Sequence, residues 1–144
     1  MRTPRAALAA ATLVALTTGC ATVLPGRDEY AFQECQRRYT QYVRWARFDD
    51  ATAFVQPEAV PDFVKQVAAF GNIRFTDYKV RAMDRDALGF NATVVVTYYA
   101  YTRTSPLPIA FDEAQIWKRV PATRSWQVRS TFSQRDLEPG EDFF

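Results

Sequence analysis

The sequence of 144 residues carries 18 Lys or Arg and 16 Asp or Glu side chains, and it contains no histidine. The lack of histidine excludes histidine-based catalytic triads and ordinary zinc hydrolases, because histidine is the usual proton carrier near neutral pH and the commonest nitrogen ligand of zinc. With 5 Gly and 8 Pro, the composition is that of one folded domain and not of a disordered or collagen-like chain.

Residues 1–19 have the layout of a secretory signal, with a basic start, an apolar run over residues 6–16 and a small-residue exit. The apolar run is shorter than the roughly 20 residues that span a bilayer, so we expect a removable signal peptide. Residues 20–28 are then predicted to be a tether, residues 29–133 the folded domain, and residues 134–144 an acidic, flexible tail.

The residues from Leu16 to Cys20 resemble a bacterial lipobox, in which the cysteine is acylated and becomes the new amino terminus. Each buried methylene adds about 0.8 kcal/mol of membrane affinity, so acyl chains on Cys20 would hold the protein at a bilayer. An ordinary cleaved signal that leaves a soluble periplasmic protein is the alternative. Within this family Ala21 implies an outer-membrane location facing the periplasm, because an aspartate there is associated with retention at the inner membrane.

The charge of the mature chain argues against nucleic-acid binding. Removal of residues 1–19 leaves 16 basic and 16 acidic side chains. A balanced chain lacks the concentrated positive field that nucleic acids and polybasic lipid recognition require. The membrane is therefore predicted to be contacted through the lipid.

Three helical segments are predicted ahead of the strands. The first runs from Glu29 to about Phe48, the second covers residues 51–55, and the third begins at Pro61 and stops before residue 71. Cys35 lies on the apolar stripe of the first helix and is predicted to be a buried thiol. If Cys20 carries no lipid, a disulfide between the two cysteines is the alternative.

Four strands are predicted after the helices, over residues 73–82, 90–102, 109–120 and 126–132. A change of phase at Thr76–Asp77 indicates a bulge, and Ser105–Pro108 is predicted to be a loop. The strand over residues 90–102 is apolar on both faces, which is typical of a strand in the middle of a sheet whose two faces are covered by helices or by another subunit. We therefore predict an α+β fold with N-terminal helices packed on a four-stranded antiparallel sheet.

This pattern resembles small lipoproteins of Gram-negative bacteria with an NTF2-like (cystatin-like) domain. The stretches that carry the resemblance are residues 38–39, 43–45, 48–55, 75–80 and 94–98. The resemblance implies a sheet curved into a cone whose mouth can hold an apolar ligand, and an outer face through which many such domains dimerise.

The leading functional hypothesis is a non-enzymatic, lipid-anchored binding or scaffold domain that contacts an envelope protein or a second copy of itself. Tyr98, Tyr99, Tyr101 and Trp117 are the predicted interface or pocket residues, because tyrosine suits half-wet contact surfaces. The alternative is a carrier of a small apolar ligand in the cone. No metal or cofactor is predicted, since the acidic clusters lack the spaced oxygen ligands of a cation loop.

An isomerase- or lyase-like enzyme is the third hypothesis. By similarity to ketosteroid isomerase, a tyrosine would stabilise an oxyanion and a carboxylate would move a proton. The candidate donors are Tyr39 and the three tyrosines of the strand over residues 90–102, and the candidate bases are Asp77 and Asp112. No catalytic residue is assigned, because the spacing supplies no constellation of roles.

Overall fold

The computed structural model describes residues 26–141. Its elements are α1 (Arg27–Arg44), α2 (Phe48–Thr52), α3 (Val60–Ala68), β1 (Ile73–Arg85), β2 (Asn91–Thr102), β3 (Ser105–Arg119) and β4 (Trp126–Arg135). The strands form one antiparallel sheet in the order β1-β2-β3-β4, with the helices against one face, which confirms the predicted α+β fold. Within residues 26–141, no helix is long and apolar enough to span a membrane.

Helix α1 presents a continuous buried face to the sheet. The buried side chains of this face are Phe32, Gln36, Tyr39, Thr40 and Val43. The helix ends at Arg44, before the predicted end, because Ala46 adopts a left-handed backbone with φ of 54°. The amides of Ala46 and Arg47 then donate to the carbonyls of Val43 and Tyr42 at 2.9 and 2.8 Å, which is a Schellman motif.

The chain between α1 and β1 keeps the predicted helices with shifted bounds. Helix α2 begins at Phe48, because the turn at Ala46 releases the chain earlier than the sequence pattern indicates. A short 3-10 helix, Pro57–Ala59, leads directly into α3. Pro61 lies in the first turn of α3, where the missing amide removes no intrahelical hydrogen bond.

The sheet contains the predicted bulge and a second one. The pairing of β1 with β2 shifts register between Phe75 and Asp77, as predicted, and again between Val80 and Ala82. Strand β2 pairs with β1 on one side and β3 on the other. Its central position in the sheet agrees with the prediction, but the helices cover only one of its two faces.

The segment Ser105–Pro108 is the start of β3, so its prediction as a loop was wrong. Pro108 pairs with Tyr101 of β2, whereas β4 joins β3 only from Ala110 onward. Proline cannot donate to a second neighbouring strand, so it is tolerated where a strand has a partner on one side. The prolines therefore mark a free edge and not a break in the strand.

The outer edge of β4 is covered by the segment that follows α2 and by helix α3. The backbone of Val128 exchanges hydrogen bonds of 2.8 and 2.9 Å with residues 54 and 56. Further along, the Gln66 side-chain amide donates to the Ser130 carbonyl at 3.2 Å and accepts from the Phe132 amide at 2.8 Å. Gln66 thus takes the place of a peptide group and protects an edge that could pair with another chain.

The core lies between the helices and the inner face of the sheet and consists largely of aromatic rings. Trp117 of β3 meets Phe32 and Tyr39 of α1 edge-to-face, with ring centroids 5.8 and 5.6 Å apart. Such pairs stabilise the fold beyond the burial of their apolar surface. These rings surround a polar group, the carboxyl of Glu113.

Candidate functional site

Glu113 projects from the middle of β3 into the core and is fully buried. Its Oε1 accepts hydrogen bonds from the hydroxyls of Tyr39 at 2.6 Å and Ser130 at 2.5 Å. Its Oε2 accepts from the Tyr98 hydroxyl at 2.8 Å and from the Gln115 side-chain amide at 2.7 Å. These five residues, which we call the Glu113 cluster, join α1 to three of the four strands.

A second layer of hydrogen bonds fixes the orientation of Gln115. Its Oε1 accepts from the Trp117 indole at 3.0 Å and from the Gln36 side-chain amide at 3.3 Å. Its Nε2 donates to the Thr40 hydroxyl at 3.2 Å as well as to Glu113. Because turning the amide over would place Nε2 against two donors, Gln115 can act only as a donor toward Glu113.

Burial dominates the electrostatics of the cluster. Desolvation raises the pKa of Glu113, and the hydrogen bonds from its four neighbours oppose that shift. The pKa values of Tyr39 and Tyr98 lie well above their usual range, first because of burial and second because of the charge of Glu113. Both tyrosines therefore remain protonated while Glu113 can exchange its proton.

The cluster accommodates both protonation states of Glu113. An ionised carboxylate accepts from all four donors. A protonated Oε1 can donate to Tyr39 or Ser130, since a hydroxyl both donates and accepts. The hydroxyl that accepts this proton gives up its own hydrogen bond to Oε1, so protonation of Glu113 replaces one of the four bonds by a bond of opposite direction.

The predicted candidate bases lie elsewhere. Asp77 is exposed, and its carboxylate accepts from the backbone amide of the next residue at 2.8 Å. Asp112 lies on the outer face of the sheet, where it accepts from the Thr97 hydroxyl at 2.6 Å. Neither carboxylate joins Tyr39 or Tyr98, so the acid and tyrosine set that the structure assembles is a different one.

Glu113 was missed because an acidic residue in a strand suggests a solvated position. The available signal was strand alternation, which places position 113 on the same face as Phe111 and Trp117. A glutamate between two large aromatic positions of one face is expected to be buried and therefore hydrogen-bonded.

The four predicted interface or pocket residues separate onto the two faces of the sheet. Tyr98 and Trp117 lie on the inner face, fully buried, and their polar atoms bind Glu113 and Gln115. Tyr99 and Tyr101 lie on the outer face, where Tyr99 is buried under charged side chains and Tyr101 is exposed. Of the four, Tyr101 alone presents a large surface to a partner in this structure.

The Glu141 carboxylate covers the outer face of the sheet at Tyr99, and we call its contacts with Tyr99, Arg135 and Arg81 the Glu141 clasp. Glu141 accepts hydrogen bonds from the Tyr99 hydroxyl at 2.6 Å, from Arg135 at 3.1 Å, and from Arg81. The bond from Tyr99, followed by that from Arg135, lowers the pKa of Glu141 to about 2. The clasp holds part of the predicted tail against the sheet, and β4 itself extends to Arg135.

We expect acid, or the change Glu141→Gln at neutral pH, to open this clasp. Because the pKa of Glu141 is about 2 in the folded chain and near 4.5 otherwise, its contribution is present above pH 4.5 and is lost as the pH falls toward 2. Amide hydrogen exchange of residues 136–141 at pH 7 should be faster in the variant, with exchange in β2 unchanged. Equal exchange of these residues in both proteins would contradict the clasp.

Two surface depressions flank the core. An open groove of about 540 Å³ between α3 and β4 is lined in part by Asp62, Lys65 and Arg129, so its wall is charged. A depression of about 230 Å³ on the inner face is lined in part by Phe70, Phe111 and Phe132. Its volume is below the roughly 300 to 1,000 Å³ of sites that enclose a small molecule.

The two cysteines of the chain lie at positions 20 and 35. Cys20, the predicted lipidation site, lies outside the described residues. Cys35 is half-buried against the core, and burial raises the pKa of its thiol. Across residues 26–141, no three His, Cys, Asp or Glu side chains are grouped so that they could hold a metal ion.

The architecture is similar to that of a ketosteroid isomerase-like protein from Erwinia carotovora atroseptica SCRI1043. The two structures superpose with a TM-score of 0.61 at 14% sequence identity, over 78% of this chain and 99% of the other. No protein-family model and no curated protein matches the sequence. The chain therefore has an NTF2-like fold, which includes enzymes and non-enzymatic members, so the fold alone does not decide the function.

Proposed function

We propose that this chain is a lipid-anchored, non-enzymatic domain that binds another protein at the periplasmic face of a bacterial outer membrane. The proposal rests on the Glu113 cluster, which is closed to solvent and to substrates. The carboxyl and its tyrosine partners are fully buried and hydrogen-bonded to one another. A substrate would have to displace core side chains to reach the acid, so the geometry favours a function performed at the surface.

The same cluster argues against the isomerase-like hypothesis. A general base must lie within about 2.6 to 3.2 Å of the proton that it removes. Each oxygen of Glu113 already accepts two hydrogen bonds from the protein, which occupies its acceptor positions. Glu113 therefore acts as a structural link among the elements that it joins.

The anchor is supported by the sequence ahead of the domain. The lipobox resemblance at Leu16 to Cys20 offers a residue for acylation, and α1 begins at Arg27, only a few residues later. Acyl chains provide membrane affinity without a spanning helix. The folded domain is thereby held close to the membrane, where its partners would be envelope proteins.

The proposed contact surface is a strip on the outer face of the sheet, beyond the Glu141 clasp. The strip consists of Thr93, Val95, Ala114, Ile116 and Thr131, which cross-strand pairing places side by side. Ile116 is 53% exposed. The strip itself is uncharged, and its row through Thr93 and Ile116 continues to Asp84 on β1 and Arg129 on β4. A second copy can meet it in a two-fold arrangement that sets these opposite charges against each other, so a homodimer is the simplest partner arrangement.

Metabolic labelling with a palmitate analogue tests the anchor. We expect label in the wild-type chain and none in Cys20→Ser, because acylation of the lipobox cysteine is the proposed source of membrane affinity. The mass of the amino-terminal peptide gives a second measurement, with acylated Cys20 as the first residue. An unmodified amino terminus elsewhere would overturn the anchored location.

Photo-cross-linking in intact cells tests the contact strip. With a photoreactive residue at position 114, Ile116→Arg should reduce the cross-linked product several-fold, because a charge desolvated in an apolar contact is costly. Leu107→Arg is the matched control, since Leu107 is 71% exposed and lies outside the strip.

The mass of the cross-linked product identifies a second copy or another envelope protein. Equal product from the two arginine variants would refute the contact strip. Native mass spectrometry of the purified chain tests the alternative hypothesis of a carrier, because a carrier should retain one bound small molecule per chain.

A further inference from the structure

Three chain segments meet at one end of the molecule, which we call the amino-terminal end. They are the first turn of α1, the β1–β2 turn at residues 86–90 and the β3–β4 turn at residues 120–125. Arg119 joins them, because its guanidinium binds Asp28 at 2.9 Å and its amide donates to the Phe90 carbonyl at 2.8 Å. Helix α1 thus begins at the same end of the folded domain as the β1–β2 turn.

The β1–β2 turn holds apolar side chains out in solvent. Leu88 is 79% exposed and Phe90 is 44% exposed. The carboxylate of Asp86 accepts from the Phe90 amide at 2.8 Å and from the Asn91 side chain at 2.7 Å, while Gly89 turns the chain with φ of 73°. The turn is therefore ordered by its own hydrogen bonds, and the exposure of Leu88 is not needed to form it.

The proposed lipid places this end close to a bilayer. Cys20 and Gly26 are six residues apart, so the connecting chain can extend no more than about 20 Å. The opposite end of the sheet, where Leu107 lies, is about 35 Å away along β2. A lipid on Cys20 therefore brings Leu88 and Phe90 within reach of the membrane and leaves Leu107 far from it.

We infer that the β1–β2 turn is a membrane-contact element, in which Leu88 and Phe90 enter the interfacial layer of the lipid bilayer. This inference rests on the proposed lipid anchor. Charges at this end balance, since exposed Arg27 and Arg124 are offset by Glu29 and Asp86. The contact is thus driven by apolar side chains, and zwitterionic lipid suffices as the surface.

Leu88 and Phe90 alone would bind a bilayer weakly, as single apolar groups do. The anchor changes this, because it raises the effective concentration of the turn at the membrane. The domain is thereby held in a fixed orientation relative to the membrane. The first turn of α1 faces the bilayer, and the contact strip on the outer face of the sheet lies to the side of the domain. Lateral contact between anchored copies is then sterically open.

A depth measurement on the full, lipidated chain tests the inference. A fluorophore is attached at Leu88→Cys or, as the matched control, at Leu107→Cys, both in a chain carrying Cys35→Ser. Each protein is reconstituted in phosphatidylcholine vesicles that contain a nitroxide-labelled lipid. We expect the label at position 88 to be quenched several-fold more strongly by the nitroxide, and less by aqueous iodide, than the label at position 107.

The outcomes separate the inference from the anchor. The mass of the amino-terminal peptide establishes lipidation independently of the fluorescence, and circular dichroism establishes folding. If Cys20 is acylated but iodide quenches both labels equally, the membrane-contact element is refuted while the proposed lipid anchor is retained. If Cys20 carries no lipid, the anchor is refuted and the inference fails with it.

Discussion

Replacing Glu113 by alanine is expected to lower the free energy of unfolding by about 3 to 5 kcal/mol. The change removes the common acceptor of four buried donors and leaves a cavity between α1 and the sheet. Each donor left without a partner costs about 1 to 3 kcal/mol, partly recovered where water enters. Urea unfolding followed by far-UV circular dichroism measures the loss.

Glu113→Gln is the matched control and should cost less than the alanine variant, about 1 to 3 kcal/mol. Its carbonyl can accept from Tyr98 and Gln115, but its amide faces the hydroxyls of Tyr39 and Ser130, which lose the oxygen to which they donate. A loss as large as that of the alanine variant would contradict the assigned hydrogen bonds.

The pH dependence of the free energy of unfolding provides a second test of the buried position of Glu113. Because burial raises its pKa in the folded state, its protonated form contributes stability that is complete below the unfolded pKa. This contribution declines as the pH rises through the folded pKa. The stability of wild type relative to Glu113→Gln should therefore decrease as the pH rises above the ordinary glutamate pKa of about 4.3.

Replacing Trp117 by alanine is the second change with a large expected effect, a loss of about 3 to 5 kcal/mol. Trp117 is fully buried, contacts Phe32 and Tyr39 edge-to-face, and donates its indole N–H to Gln115. Alanine removes the ring contacts and one of the bonds that orient Gln115 toward Glu113. Chemical unfolding measured by circular dichroism reports the change.

Trp45→Ala is the control of the same residue type. Trp45 is 67% exposed and stacks only with the guanidinium of Arg44, at 4.5 Å, among the described ring and cation contacts. Its removal should change stability by about 0.5 kcal/mol. Similar losses from the two tryptophan changes would refute the core position of Trp117.

The Glu113 cluster and the proposed function are connected through rigidity. The cluster joins α1 to β2, β3 and β4 by hydrogen bonds in a dry interior, where such networks favour a single arrangement. A rigid sheet keeps the contact strip and the β1–β2 turn in fixed positions relative to each other. The interior thus supports surface binding, which is the role proposed for the domain.

Most elements of the fold could be predicted from local patterns. The change from helical spacing to alternation after Gly71 marks the start of the sheet. The apolar residues on both faces of residues 90–102 indicated a strand with two neighbours, and β2 has them. The phase change at Thr76–Asp77 indicated the bulge. These signals are local because side-chain periodicity follows directly from backbone geometry.

Other features had no local signal. Ala46 adopts a positive φ that usually selects glycine, and no glycine between residues 40 and 50 marks the end of α1 in the sequence. Pro106 and Pro108 suggested a loop, but their place in the sheet depends on where β4 begins to pair. Tyr99 was expected at an interface and is covered by Glu141, which lies 42 residues away in sequence.

By itself the sequence determined the α+β class, the order of elements and the apolar faces, since each depends on the spacing of neighbouring residues. The tertiary structure alone decided that Tyr39, Tyr98, Gln115 and Ser130 share one buried carboxyl, that of Glu113. The physical reason is that burial and hydrogen bonding depend on which segments meet in space. Residues 39 and 113 meet only after the helix has packed on the sheet.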